Sequence, residues 1–112
     1  MRISQADINL YGQINGDDEK LHYVEEFSKK RGFRGCIAHG TLLINPLFDL
    51  LIKKYGSQFF SSGNFSVTWI TPVCAGDEIS PNISNEGQLH LFITNFPEPI
   101  LAIKGESYVR TG

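Results

Sequence analysis

The sequence predicts an α+β domain: an antiparallel β-sheet wrapped on one long buried helix. Three observations predict it. The first half carries helical spacings, and the chain from Phe65 onward carries strand alternation. Between them, "HGTLLINPLFDLLIKKYG" (residues 39–56) is apolar on nearly every side, as a buried helix is. At 112 residues the chain suits one core and is short for two, so residues 1–112 are expected to form a single domain.

In chain order, Ser4 followed by Asp7 forms a capping-box pattern, and Ile8, Tyr11 and Ile14 recur at helical spacing, which predicts a short helix over residues 5–14 ended by Gly16. "VEEFSKKRG" predicts a second short helix, with acids in its first turn, bases in its last and Gly32 just beyond. Pro46 interrupts the long helix. Either the helix kinks there, or it starts late with Asn45 as N-cap and Pro46 as first residue. "FSVTWI" alternates as a strand, with Phe65 and Trp69 read as core. "TPVCAGDEI" reads as an extended run bent at Pro72 and Gly76. "LHLFIT" and "ILAIKGESYV" are further strands across the turn "NFPEP". No strand is expected before the first helix, and little room is seen for two long strands between Asp77 and Leu89.

A net charge of -2 gives no argument for nucleic acid. No apolar run reaches the roughly 18 residues of a membrane span, and "MRISQADINL" lacks a signal-peptide core, so no membrane partner and a cytoplasmic location are expected. Cys36 and Cys74 are too few for a disulfide framework or zinc knuckle and read as reduced thiols.

The chemistry concentrates in "NGDDEKLHYVEEF", residues 15–27, which holds five carboxylates and one histidine. Asp17 and His22 lie about 140° apart on a continuous helix, so they converge only if the chain from Gly16 to Leu21 wraps back on itself. A carboxylate beside an imidazole fixes its tautomer and raises its basicity, and such a pair can activate one water. A solvated acidic turn is the competing reading of these residues. A metal site is the weaker one, because the calcium-loop pattern is absent.

"YGQINGDDEKLHYVEEFS", followed by "GFRGCIAHGTLL" and "TPVCAGDEI", resembles the MaoC-like, R-specific enoyl-thioester hydratases, which have the hot-dog fold. The matching residues are Tyr11, Gly16, Asp17, Leu21, His22 and Ser28 in the first block, and Gly32, Phe33, Ile37, His39 and Gly40 in the second. The resemblance implies a hydro-lyase. Asp17 and His22 would hold a water that adds syn across a 2-enoyl thioester to give the R-3-hydroxyacyl product, or the reverse dehydration would run. The Gly40 N–H would face the enolate-like oxygen. No separate cofactor is implied, since coenzyme A or phosphopantetheine arrives as part of an acyl-CoA or acyl-carrier-protein substrate, and no metal is implied.

Three positions depart from the family pattern. Glu19 stands for its asparagine, Lys20 for a proline, and Cys36 for a proline whose loss should loosen the turn before Gly40. Asn45 stands where the family often has a small residue lining the acyl tunnel, which suggests a short or polar acyl chain. Lys29, Lys30, Arg31 and Arg34 read either as a solvated helix end or as a cationic rim for the thioester carrier. His39 is either a brace for its turn or a proton carrier; His90 reads as structural. A Cys36 nucleophile, as in a thioesterase, lacks a cationic neighbour to activate it. The alternative to catalysis is a non-catalytic hot-dog subunit that binds an acyl thioester or supports a partner. Exposed sheet edges predict a homodimer or higher even oligomer.

Overall fold

A computed structural model describes residues 1–110. The order is α1 (Gln5–Asn15), α2 (Lys20–Tyr23), α3 (Glu25–Lys30), α4 (Gly40–Tyr55), α5 (Gln58–Ser62), β1 (Gly63–Trp69), β2 (Ile79–Ile83), β3 (Gln88–Ile93) and β4 (Ile100–Val109). The strands form one antiparallel sheet in the order β1-β4-β3-β2. This is the α+β arrangement the sequence predicts, with the sheet laid against α4.

The capping box is real: Asp7 N–H donates to Ser4 Oγ and Ser4 N–H to Asp7 Oδ2, each at 3.0 Å. α4 runs through Pro46 without a late start, so Asn45 is not its cap. Pro46 is buried with Leu43, Leu47 and Leu51, and its packing holds a residue that would cost an isolated helix about 3 kcal/mol. Leu43, Leu47 and Leu51 repeat every four residues and meet Ile79, Leu89, Leu91, Ile93, Ala102 and Ile103 from the sheet.

Two expectations need correction. Residues 71–78 are not a continuous strand: Cys74 makes a single bridge to Ile37, Gly76 turns at φ 92°, and pairing starts only at Ile79. The space before Leu89 holds one short strand, β2, in keeping with the little room expected there. No strand precedes α1, as expected; residues 1–3 make an isolated bridge, Arg2 to Glu78, with Ile3 N–H donating to Asp77 O (2.9 Å) and Ile79 N–H to Met1 O (2.7 Å). Trp69 and Phe65 are not core: they are 50% and 38% exposed. Val67, on the same face of β1, turns inward, whereas Trp69 hangs over the sheet end above the start of α4.

Candidate active site

The reversal that Asp17 and His22 require is present. α1 ends at Gly16, whose left-handed φ of 69° only glycine adopts freely, and its N–H returns to Gly12 O. Asp17 Oδ1 then accepts the Glu19 N–H at 3.0 Å, a side-chain turn that leaves Oδ2 facing inward. α2 starts one residue later and carries His22. Ser28 Oγ donates to Leu21 O at 2.6 Å, tying α3 to this turn from a wholly buried position.

His22 Nδ1 lies 2.8 Å from the Ile37 carbonyl. A carbonyl can only accept, so Nδ1 carries the hydrogen, and Nε2 presents its lone pair 3.7 Å from Asp17 Oδ2. The Ile37 peptide is held in turn. Its N–H donates to Leu21 O (3.0 Å), Ala38 N–H donates to Val73 O (2.7 Å), and Cys36 O accepts from Ala75 N–H (2.9 Å). These bonds hold the segment with Cys36 in the proline's place.

His39, 4% exposed, stacks on His22 with ring centroids 3.8 Å apart and planes 19° apart. Its Nε2 lies 3.6 Å from the same Asp17 Oδ2 and 3.2 Å from Tyr23 Oη. Tyr23 donates its own hydroxyl hydrogen to the Asp17 carbonyl, so its oxygen accepts from His39 Nε2–H. His39 Nδ1 is then a buried acceptor with no partner among the described residues. Burial, and next the neighbouring His22 imidazole, push the His39 pKa below its ordinary 6.5 against the pull of Asp17, which favours the neutral ring at pH 7. Burial, then Asp17 and Asp18, push the Tyr23 phenol up.

Asp17, His22 and His39 also form the kind of trio that can hold a metal ion. The stacking opposes it. An ion takes an imidazole lone pair in the ring plane at about 2 Å, and two stacked planes only 19° apart do not meet that close. The trio suits protons and a polar oxygen better.

Gly40 opens α4, so its N–H is among those the helix leaves without an internal partner. It borders a 290 Å³ cavity lined by Ile37, Ala38, Leu43, Trp69, Val73 and Ile103. Asp17 borders a separate open hollow of 500 Å³ with Gly12 and Tyr23.

Comparison with known proteins places this arrangement. The family model described as the MaoC like domain matches residues 1–100. The chain belongs to the MaoC-like family. The "3-hydroxyacyl-[acyl-carrier-protein] dehydratase, mitochondrial" of Arabidopsis thaliana is 32% identical over 78 residues, 68% of this chain and 45% of that protein. The chain thus spans less than half the length of that curated relative. HtdX of Mycobacterium tuberculosis superposes with a TM-score of 0.72 at 20% identity, over 98% of this chain and 46% of that one. The (R)-hydratase from A. caviae involved in PHA biosynthesis superposes with a TM-score of 0.65 at 21% identity, over 98% of this chain and 90% of that one. These likenesses establish the hot-dog fold.

In this MaoC-like chain several expected site residues stand elsewhere. Asn45 is exposed beside Met1, Leu10, Ile14 and Leu42, not in the cavity at Gly40. Five residues beyond Gly40, it lies about 140° round α4, whereas Leu43 shares the Gly40 side. Glu19 serves through its N–H, and its side chain is exposed. The cationic rim is not a free cluster. Lys29 and Lys30 pair with Glu25 (2.8 Å) and Glu26 (3.4 Å), and Arg31 lies over the Phe27 ring at 4.8 Å. Arg34 is bidentate to buried Asp77, at 3.1 and 2.7 Å. Cys36 and Cys74 are free and buried, and burial pushes both thiols up, away from nucleophilic use. His90 sits in β3 stacked on Phe92, outside the site.

Sequence reading missed Tyr23, Gly12 and Gln5. Gln5 Nε2 donates to His22 O at 2.8 Å. Tyr23 adjoins His22 in sequence, and a glycine inside a helix, costing about 1 kcal/mol against alanine, was the signal for Gly12.

Proposed function

We propose that this MaoC-like domain is a hydro-lyase acting on acyl thioesters, adding water to a 2-enoyl thioester or removing it from an R-3-hydroxyacyl thioester. The observation that carries the reading is the convergence of His22 Nε2 and Asp17 Oδ2 at 3.7 Å, with the His22 tautomer set by Ile37. That gap is too long for a direct hydrogen bond and suits one oxygen held between the two groups.

In hydration, water oxygen attacks the β-carbon while one of its protons passes to the His22–Asp17 pair. Electron density moves to the thioester oxygen, which the Gly40 N–H and the positive end of α4 stabilise. The α-carbon then takes a proton from the same pair, on the same face. A backbone donor of this kind is worth a factor of roughly 100 to 1,000 in rate. His39 stays neutral and braces Asp17 through Tyr23, leaving His22 as the proton carrier. Coenzyme A or a carrier-protein phosphopantetheine is part of the substrate, and no further cofactor enters.

The assembly we propose is a homodimer joined through β1. That edge strand is unpaired on its outer side among the described residues and carries exposed Phe65 and Trp69. The opposite edge, β2, contains Pro81, which lacks a donor and discourages pairing.

Hydration of crotonyl-CoA tests the activity. Loss of enoyl-thioester absorbance without release of free thiol is the expected result. Thiol release would instead mean a thioesterase, and no turnover would favour a binding subunit. Sedimentation velocity tests the dimer, and a monomer at micromolar concentration would overturn it.

A further inference from the structure

We propose that Trp69 is the length-determining wall of the acyl pocket, restricting this site to short-chain acyl thioesters. The inference rests on the acyl-thioester reading above and names the class of acyl group.

The pocket is the cavity beside Gly40. Ile37, Ala38, Leu43, Val73, Ile103 and the Trp69 ring make most of its wall, a mainly apolar lining with Thr71 as its polar side chain, next to the backbone N–H assigned to the thioester oxygen. A tail extending from a carbonyl held at that N–H enters an apolar space, as the hydrophobic effect favours. At 290 Å³ the space falls at the small end of ligand cavities, which run from about 300 to 1,000 Å³.

Trp69 sets that size. A methyl group built on Gly40 would stand 3.3 Å from Cη2 and 3.4 Å from Cζ2, so the six-membered ring lies flat against the glycine at the helix start. In the single chain the ring is half exposed and forms one side of the cavity, on the β1 edge assigned to the dimer. Its backbone cannot swing aside. Trp69 pairs with Ile103 in the β1–β4 ladder, and the next two N–H groups, of Ile70 and Thr71, both donate to Ala102 O at 2.8 and 3.2 Å. Rotation of the side chain is what would enlarge the pocket on this side, and it would lift the ring off Gly40.

Trp69 is the chain's one tryptophan, so its emission reports on the pocket directly. The native protein is titrated with coenzyme A, butyryl-CoA and octanoyl-CoA. These saturated thioesters cannot be hydrated, so binding is read apart from turnover, with calorimetry giving the affinities. Butyryl-CoA should change the emission, coenzyme A alone should not, and butyryl-CoA should bind more tightly than octanoyl-CoA. Trp69→Ala should shift the octanoyl-to-butyryl affinity ratio toward the longer chain by about tenfold or more, the discrimination of a few methylenes. Trp69→Phe should shift it the same way by less, and serves if the alanine variant does not fold. Binding of butyryl-CoA without an emission change, an unaltered ratio in the variants, or no acyl-CoA binding at all would each overturn the proposal. Failure of the hydratase reading alone looks different: crotonyl-CoA would not be hydrated, while emission and affinity ratios still behaved as stated.

Discussion

His22 and His39 stack face to face with centroids 3.8 Å apart, and both present Nε2 to one oxygen of Asp17. Their other nitrogens differ. His22 donates Nδ1–H to a carbonyl, while His39 Nδ1 is buried without a partner among the described residues. The rings therefore hold opposite tautomers, and only His22 offers a lone pair toward the carboxylate.

That difference predicts separable variants. Asp17→Asn keeps an oxygen for the Glu19 N–H, so the turn survives while the acid–base partner is lost. Both it and His22→Asn should lower kcat for crotonyl-CoA hydration by roughly 100- to 10,000-fold. Circular dichroism of both should match the parent, which separates lost chemistry from lost fold.

His39 also makes stability depend on pH. The fold holds its pKa below 6.5, so on acidification the unfolded chain takes up a proton before the folded one does. This contribution is complete above about pH 6.5 and is lost as pH falls toward the folded pKa. Thermal melts should show stability declining from pH 7 to pH 5. His39→Gln, which cannot be protonated, should flatten that decline relative to the parent.

The limits of the sequence show at particular residues. β4 was legible because its ten residues open on an apolar run and continue without a proline, and α1 because Ser4, Asp7 and Gly16 mark both ends. β2 was hidden because "ISPNI" contains Pro81 and Asn82, which read as turn rather than edge strand. α5 follows Gly56 by two residues and has five residues of its own, too few for a helical period to register. In the site, the Asp17–His22 pair was legible from motif and the need for a reversal. Asn45 was misplaced because a motif carries positions along the chain, whereas the helix sets angle about its axis. Trp69 was misread for a related reason: alternation tells which face of a strand a residue takes, not whether anything covers that face.

Gly12 gives a prediction in which local preference and site geometry oppose each other. Gly12→Ala should favour α1 by up to about 1 kcal/mol on helix propensity alone. A Cβ there would overlap Tyr23 Oη, and Asp17 O lies only 3.1 Å away. Tyr23 must move, and with it the hydroxyl that joins the Asp17 carbonyl to His39. The variant should lose activity by about tenfold or more even where its helix content rises. Tyr23→Phe combined with Gly12→Ala should add little further loss, because the contact displaced by the first change is removed by the second.

The Arg34–Asp77 pair is expected to govern folding rather than substrate binding. Asp77 is 2% exposed, and its carboxylate accepts from Arg34, the Cys74 N–H at 2.8 Å and Asn95 at 3.2 Å. Burial alone would raise the Asp77 pKa; these partners outweigh it and hold the group below its ordinary 3.8. Arg34→Ala leaves the carboxylate buried without its cation and should cost about 3 kcal/mol in urea unfolding. Arg34→Lys should recover only part, since an ammonium cannot form the two parallel bonds. Acid separates the cases. In the parent, this contribution is present above pH 3.8 and lost as pH falls through the depressed pKa. In Arg34→Ala, burial acts with less opposition, the carboxyl pKa rises, and protonation relieves the unpaired charge. The stability difference between parent and variant should therefore narrow on acidification, and a constant difference from pH 7 to pH 4 would mean that Arg34 acts through packing on Phe96 instead.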